Sequence, residues 1–343
     1  MVITLGKRIA PSARAAWRRR LPVIALGWVA AYGALRIYWE SGHMPARSRL
    51  SPVETDLVAF TGWASVALCG AAALVLAAFL APGAGRLPRA PRRVLLVAAS
   101  AVAAALVASG ALLLLDVIGG VLPGLGVRFY PLGALSRAAC VGGGLLVGAV
   151  ARSHARRTRS GCASCGRADT APGPLARTPA WAFWAAYLSV AGCMVRIAAQ
   201  AAVGFGDSPM SSGPSAVLFE IGFVLGGTLL PAALVHRFGR VWPRWVPQWV
   251  PRLAGRGVPR RLVLWPGTAI SGAISVYFGL MLAQMVWERL HGRNPFPPQD
   301  GMALPETFFW VAVPAYAVWG AGMAVAALAY ARRTRAACRS CGH

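Results

Sequence analysis

The sequence predicts an all-α, polytopic membrane protein: eight transmembrane helices in two parallel tandem four-helix repeats, with both termini in the cytoplasm. Three observations carry that expectation. Eight long apolar runs punctuate the chain, arginine is distributed unevenly among the segments between them, and one twelve-residue motif occurs twice. Charged residues are 13% of the 343 positions, where a soluble domain carries roughly a quarter, and the mean hydropathy is +0.56.

The runs cover residues 21–39, 57–81, 94–119, 129–151, 180–204, 215–235, 262–286 and 308–331. Each is about 19 to 26 residues, enough to cross roughly 30 Å of hydrocarbon at 1.5 Å per residue. Their Ala, Leu, Val and Gly content lacks the alternation of a barrel strand. Backbone groups in lipid must pair within their own segment, so helices are expected. The first run follows a basic stretch from Lys7 to Arg20, as a signal peptide would. It continues into Arg36, Tyr38 and Trp39 without a small-residue cleavage site, which predicts an uncleaved first helix.

Charge sets the topology. With the N-terminus placed in the cytoplasm, 27 of the 35 basic residues fall in cytoplasmic segments, 5 in outer segments and 3 inside spans. Seven of the ten acids lie outside. That bias over short loops follows the positive-inside rule and predicts a multi-pass protein of the inner (plasma) membrane. A net charge of +25 would suit a nucleic-acid binder, but its placement assigns it to topology and to anionic lipid headgroups at the Arg-rich cytoplasmic loops, with no nucleic acid as partner.

The motif reads ARRTRSGCASCG at 155–166 and ARRTRAACRSCG at 331–342, with nine of twelve positions identical. Each copy follows a fourth apolar run. The third and seventh runs open alike (Arg92-Arg93 and Arg260-Arg261), and the first and fifth share Arg36-Ile37 and Arg196-Ile197. Four crossings per copy is an even number, so both copies point the same way through the membrane. The expected organisation is a first repeat over 1–166, a cytoplasmic linker over 167–179 and a second repeat over 180–343. The cytoplasmic loop 237–261 interleaves Trp242, Trp245 and Trp249 with Pro243, Pro247 and Pro251, which forbids a regular helix. It is expected to be turn-rich, lying at the headgroups or offering a surface to a protein partner.

Seven cysteines fall into two classes. Cys69, Cys140 and Cys193 lie inside runs beside small residues and read as apolar packing. Cys162 and Cys165, with Cys338 and Cys341, form two C-x-x-C-G turns. Two such turns supply four thiolates, the ligand set of tetrahedral zinc, and predict a cytoplasmic zinc site joining the two halves. A redox-active dithiol is the competing reading of the same residues.

Ionisable residues inside spans are costly and mark sites or ion pairs. The candidate ligand-binding set is Arg36, Asp116, Arg137, Arg196 and Glu220, with Gln200 and Gln284 as polar company. All lie toward the outer ends of their spans. Three arginines against two carboxylates favour an anionic or lipidic ligand; the structural alternative is a pair of ion pairs, Arg196 with Glu220 and Arg36 with Asp116. The chain has no phosphate-binding loop, nucleophile elbow, zinc-protease signature or dinucleotide fingerprint. The expectation is a non-enzymatic membrane protein that binds a small anionic or lipidic ligand at the outer leaflet or scaffolds partners. A secondary transporter and a membrane thiol–disulfide oxidoreductase are the alternatives.

The apolar span, Arg-rich stretch and C-x-x-C-G tail, together with Arg36-Ile37-Tyr38-Trp39 closing the first span, resemble uncharacterised multi-pass membrane proteins of high-GC bacteria. The resemblance covers the whole layout and implies no activity, substrate or catalytic residue.

Overall fold

In a computed structural model of the chain, the described residues are 13–44, 62–122, 129–158, 162, 175, 177–204, 214–242, 255–296, 304–335 and 338, the side chains of 13–19 and 215 excepted. The described residues form nine α-helices and no β-strand: α1 (Ala13–Tyr38), α2 (Trp63–Leu80), α3 (Arg89–Ala108), α4 (Leu113–Val121), α5 (Pro131–Arg157), α6 (Ala180–Val203), α7 (Pro214–Val235), α8 (Arg260–Leu290) and α9 (Glu306–Arg333). With α3 and α4 counted as one interrupted crossing, eight segments are long and apolar enough to span a membrane. This is the build of a multi-pass membrane protein.

The third run departs from the expected continuous helix. It breaks over Ser109–Leu112, between α3 and α4. The Ser109 hydroxyl donates back to the Ala105 carbonyl at 2.9 Å, a bond that competes with helix propagation. Gly110 sits so close to α5 that a Cβ there would stand 2.9 Å from the Arg137 carbonyl oxygen. Only a residue without a side chain fits, and the turn is held at that contact.

The chain forms two compact units. The first contains α1, α2, α3 and α5 from residue 135 onward; the second contains 111–134, and so α4, together with α6 to α9. The halves expected from sequence placed 111–134 in the first, and there the compact units depart from them.

In the first unit α1 packs on α2 and α2 on α3. The buried stripe of α1 is Leu21, Ala25, Val29, Tyr32 and Arg36, spaced three or four apart as one helical face. Val23, Leu35 and Ile37 on its other faces are exposed yet apolar, as a lipid-facing surface requires. Trp28 Nε1 donates to the Ala139 carbonyl of α5 at 3.1 Å. A Cβ on Gly33 of α1 would stand 3.2 Å from Cys69 Cβ of α2.

In the second unit α9 is central: it packs against α6, α7 and α8, and half of its span is buried against 17% of α8's. Small residues permit this. A Cβ on Gly192 of α6 would stand 2.6 Å from the Ala315 carbonyl oxygen of α9, and one on Gly320 would stand 2.7 Å from Ser275 Oγ of α8. Lipid supplies no hydrophobic drive between helices, so such backbone approach carries the association. Cys193 of α6 faces Gly227 of α7, whose Cβ would stand 3.1 Å from the cysteine Cβ.

Arginines tie the helix ends. Arg92 of α3 donates to the Thr158 carbonyl just past α5 at 2.9 Å. In the second unit Arg260 of α8 donates to Thr334 Oγ1 and the Ala331 carbonyl at 3.0 and 3.1 Å. Arg333 donates to the Leu234 and Val235 carbonyls that end α7, and to the Thr178 hydroxyl. Unpaired C-terminal carbonyls welcome such cations. The loop after α7 begins as a paired stem: Trp242 N–H donates to Arg256 O at 2.9 Å, and Val258 N–H to Arg240 O at 2.8 Å. Trp245, Trp249 and the three prolines lie outside the described residues.

Substituting Gly192→Val is expected to cost about 2–4 kcal/mol, because the side chain meets α9 backbone that cannot yield. Gly222→Val, where a Cβ meets nothing within 4 Å, is expected to be neutral. Unfolding of both variants by SDS titration checks the difference.

Candidate functional site

Each unit holds one arginine at the inward face of its first long helix, 160 positions apart in sequence, and the two are satisfied differently. Arg36 ends the buried stripe of α1 and is 1% exposed. Its Nε donates to Ser65 Oγ of α2 at 2.8 Å, and its NH2 pairs with Glu40 Oε1 at 3.1 Å. The same carboxylate oxygen accepts the Gly62 N–H at 2.9 Å, and the Ser65 hydroxyl donates to the Gly62 carbonyl at 2.7 Å. The guanidinium stands 5.7 Å from the Trp39 ring centroid.

Arg196 lies half-buried on α6, seven residues and so about 10 Å from the helix's last residue. Its Nε donates to the Tyr316 hydroxyl at 2.8 Å and its NH2 to Gln200 Oε1 at 3.0 Å. Gln200 is itself oriented by donating from Nε2 to the Gly204 carbonyl at 2.9 Å. The rings of Phe223, Phe308 and Tyr316 surround the guanidinium, with centroids at 5.6, 5.9 and 5.8 Å. These rings are braced in turn: Phe278 stacks on Tyr316 at 3.8 Å, and Phe223 meets Trp319 edge-on at 4.8 Å. Both acceptors of Arg196 are neutral, and among the described residues no carboxylate lies within ion-pair distance of it and its NH1 makes no hydrogen bond.

The expected Arg196–Glu220 ion pair is therefore not formed. Glu220 is exposed on α7, while Tyr316 and Gln200 take the guanidinium. Arg36 pairs with a carboxylate one turn farther along its own segment, Glu40. Asp116 is 5% exposed on α4 of the second unit and Arg137 is 7% exposed on α5 of the first; Gln284 is half-buried on α8. The six residues are thus divided between the units, Arg36 and Arg137 in one, Asp116, Arg196, Glu220 and Gln284 in the other.

Sequence reasoning missed Glu40, Ser65, Tyr316 and the rings around Arg196. One signal was present: Glu40 and Gln200 each follow their arginine by four, the helical spacing at which side chains meet. The in-span cysteines pack as expected at Cys69 and Cys193. Cys140 does more, donating its thiol to the Tyr32 hydroxyl at 3.3 Å, which also bonds Ser136 at 2.8 Å.

Of the four C-x-x-C cysteines, Cys162 and Cys338 are half-buried, and Cys165 and Cys341 lie outside the described residues. No group of three or more His, Cys, Asp or Glu able to hold a metal occurs among the described residues. No protein family, curated protein or solved structure matches the chain.

A guanidinium with neutral partners, ringed by aromatic faces, keeps its charge and an unused donor edge. It can stack cation–π and receive an oxyanion. Arg36→Gln strands the Glu40 carboxylate and is expected to cost about 1–3 kcal/mol. Arg196→Gln strands only neutral groups and is expected to cost less, about 0.6 kcal/mol. SDS-titration midpoints of the two variants check the order.

Proposed function

We propose that the chain is a non-enzymatic, tandemly duplicated inner-membrane protein that binds an anionic ligand at Arg196, on the outer-leaflet side, and carries a zinc site on its cytoplasmic side. The observation that carries the ligand assignment is the pairing of Arg196 with two neutral acceptors inside an aromatic surround. A charge left uncompensated within an apolar segment is expensive, and an anion from the leaflet offsets that cost. The ligand is an oxyanion, either a lipid headgroup or a small free anion such as phosphate.

Contacts between corresponding segments support the duplication. Arg36 with Glu40 corresponds to Arg196 with Gln200, 160 positions on, and Arg92 with Thr158 corresponds to Arg260 with Thr334. Gly33 against Cys69 is answered by Cys193 against Gly227, the small residue and the thiol having changed helices. The cytoplasmic placement of both termini rests on the arginine distribution.

The zinc assignment rests on the repeated C-x-x-C-G motif. Each copy starts four residues after a threonine whose position is held by an arginine, Thr158 by Arg92 and Thr334 by Arg260. The four thiolates of Cys162, Cys165, Cys338 and Cys341 would hold the ion. Zinc there would supply a folding staple and no chemistry.

Two measurements test these readings. Purified full-length protein should bind an anionic ligand, and Arg196→Gln should weaken that binding about tenfold or more, as expected for loss of a charge-assisted contact. Equal binding by wild type and variant would remove Arg196 from the site. Metal content by mass spectrometry should give about one zinc per chain, lost when Cys338 and Cys341 become Ser; four freely titratable thiols without metal would remove the clamp.

A further inference from the structure

The two arginines differ at one partner, and that difference names what the second one takes. Beside Arg36 stands Glu40, a carboxylate at the fourth residue on, accepting from the guanidinium at 3.1 Å and from a backbone N–H at 2.9 Å. Beside Arg196 the same sequence position is Gln200, isosteric and neutral, accepting at 3.0 Å. Resting on the assignment of Arg196 as the anion site, we propose that Gln200 is its specificity-determining residue: by staying neutral it leaves the charge of Arg196 for a ligand carrying one negative charge, and the ligand is a lipid with a phosphodiester or carboxylate head.

Three features of the surround argue for a lipid. The rings of Phe223 and Phe308 give apolar contact to the atoms next to an anionic head. Exposed Val217, Ile221 and Val224 on α7 and Met194 and Val195 on α6 present apolar faces along the same helices, a track for an acyl chain. The site lies about 10 Å in from the end of α6, within acyl-chain reach of the headgroup layer. A single guanidinium with neutral acceptors balances one charge, which favours a monoanion over a phosphomonoester dianion. An oxyanion meets Arg196 through the NH1 edge, where the planar fork offers paired donors.

The mechanism of selection is electrostatic. A glutamate at 200 would neutralise Arg196 from within, as Glu40 does beside Arg36, and would repel an incoming anion. A methionine at 200 would lose the hydrogen bond and keep the site's charge.

The test uses the full chain in neutral detergent, with dioleoylphosphatidylglycerol as probe, dioleoylphosphatidylcholine as control and native mass spectrometry as readout. Wild type should prefer the anionic lipid by about tenfold. Gln200→Glu should lose that preference while unfolding close to wild type in SDS, since the ion pair it gains with Arg196 offsets the lost donation to the Gly204 carbonyl. Gln200→Met should keep the preference to within about threefold. A Gln200→Glu variant that still prefers phosphatidylglycerol overturns the proposal and leaves the anion site at Arg196 standing. Loss of preference in both variants also overturns it, because then Gln200 acts through its hydrogen bond. No preference in wild type sinks the anion-site reading itself. Displacement of the lipid by millimolar inorganic phosphate would identify a small free anion as the ligand and overturn the lipid assignment; persistence of the lipid supports it.

Discussion

Every backbone N–H and C=O that enters hydrocarbon must find a partner inside the protein, and this constraint shapes the chain from end to end. It makes the apolar runs helices. It also explains what stands at their ends and at their one interruption. Where α7 stops, Arg333 reaches across from α9 to the Leu234 and Val235 carbonyls. Where α9 stops, Arg260 takes the Ala331 carbonyl. Where α3 breaks within its span, Ser109 and Gly110 are the residues at the turn, one bonding its own helix and the other pressed to α5. Arginines near the helix ends are therefore the groups that close these termini.

The same absence of water governs association. In lipid, Leu on Leu gains little over Leu on acyl chain, so helices hold together where they approach backbone to backbone. Gly192 against Ala315 and Gly320 against Ser275 place α9 at the centre of the second unit. Not every glycine serves this end: a Cβ at Gly222 or Gly226 would meet nothing within 4 Å. Composition alone does not separate the two kinds.

That limit recurs in what the sequence disclosed. The bounds of the crossings were legible to within about six residues, because length and hydropathy are local properties. The break at Ser109–Leu112 was not, since those residues sit inside the most apolar of the eight windows and the cause is a contact with α5. The partners of Arg196 follow the same division. Gln200 is one helical turn away and could be read from spacing. Tyr316, Phe223 and Phe308 come from α7 and α9, and only the fold brings them to the guanidinium. The carboxylate assigned to it from sequence, Glu220, was chosen by charge, yet charge does not say which face of α7 looks inward.

The two arginines, each one helical turn before a polar partner, differ in how their charge is answered. In each unit a glycine on one long helix meets a cysteine on another, Gly33 with Cys69 and Gly227 with Cys193. The residue four places after the arginine differs between the two, Glu40 against Gln200. With glutamate there, the cation is balanced inside the chain. With glutamine there, the geometry of the hydrogen bond survives, 3.0 Å against 3.1 Å, and the charge does not cancel. One change of oxygen to nitrogen thus separates an internal ion pair from a cation whose hydrogen-bond partners among the described residues are neutral.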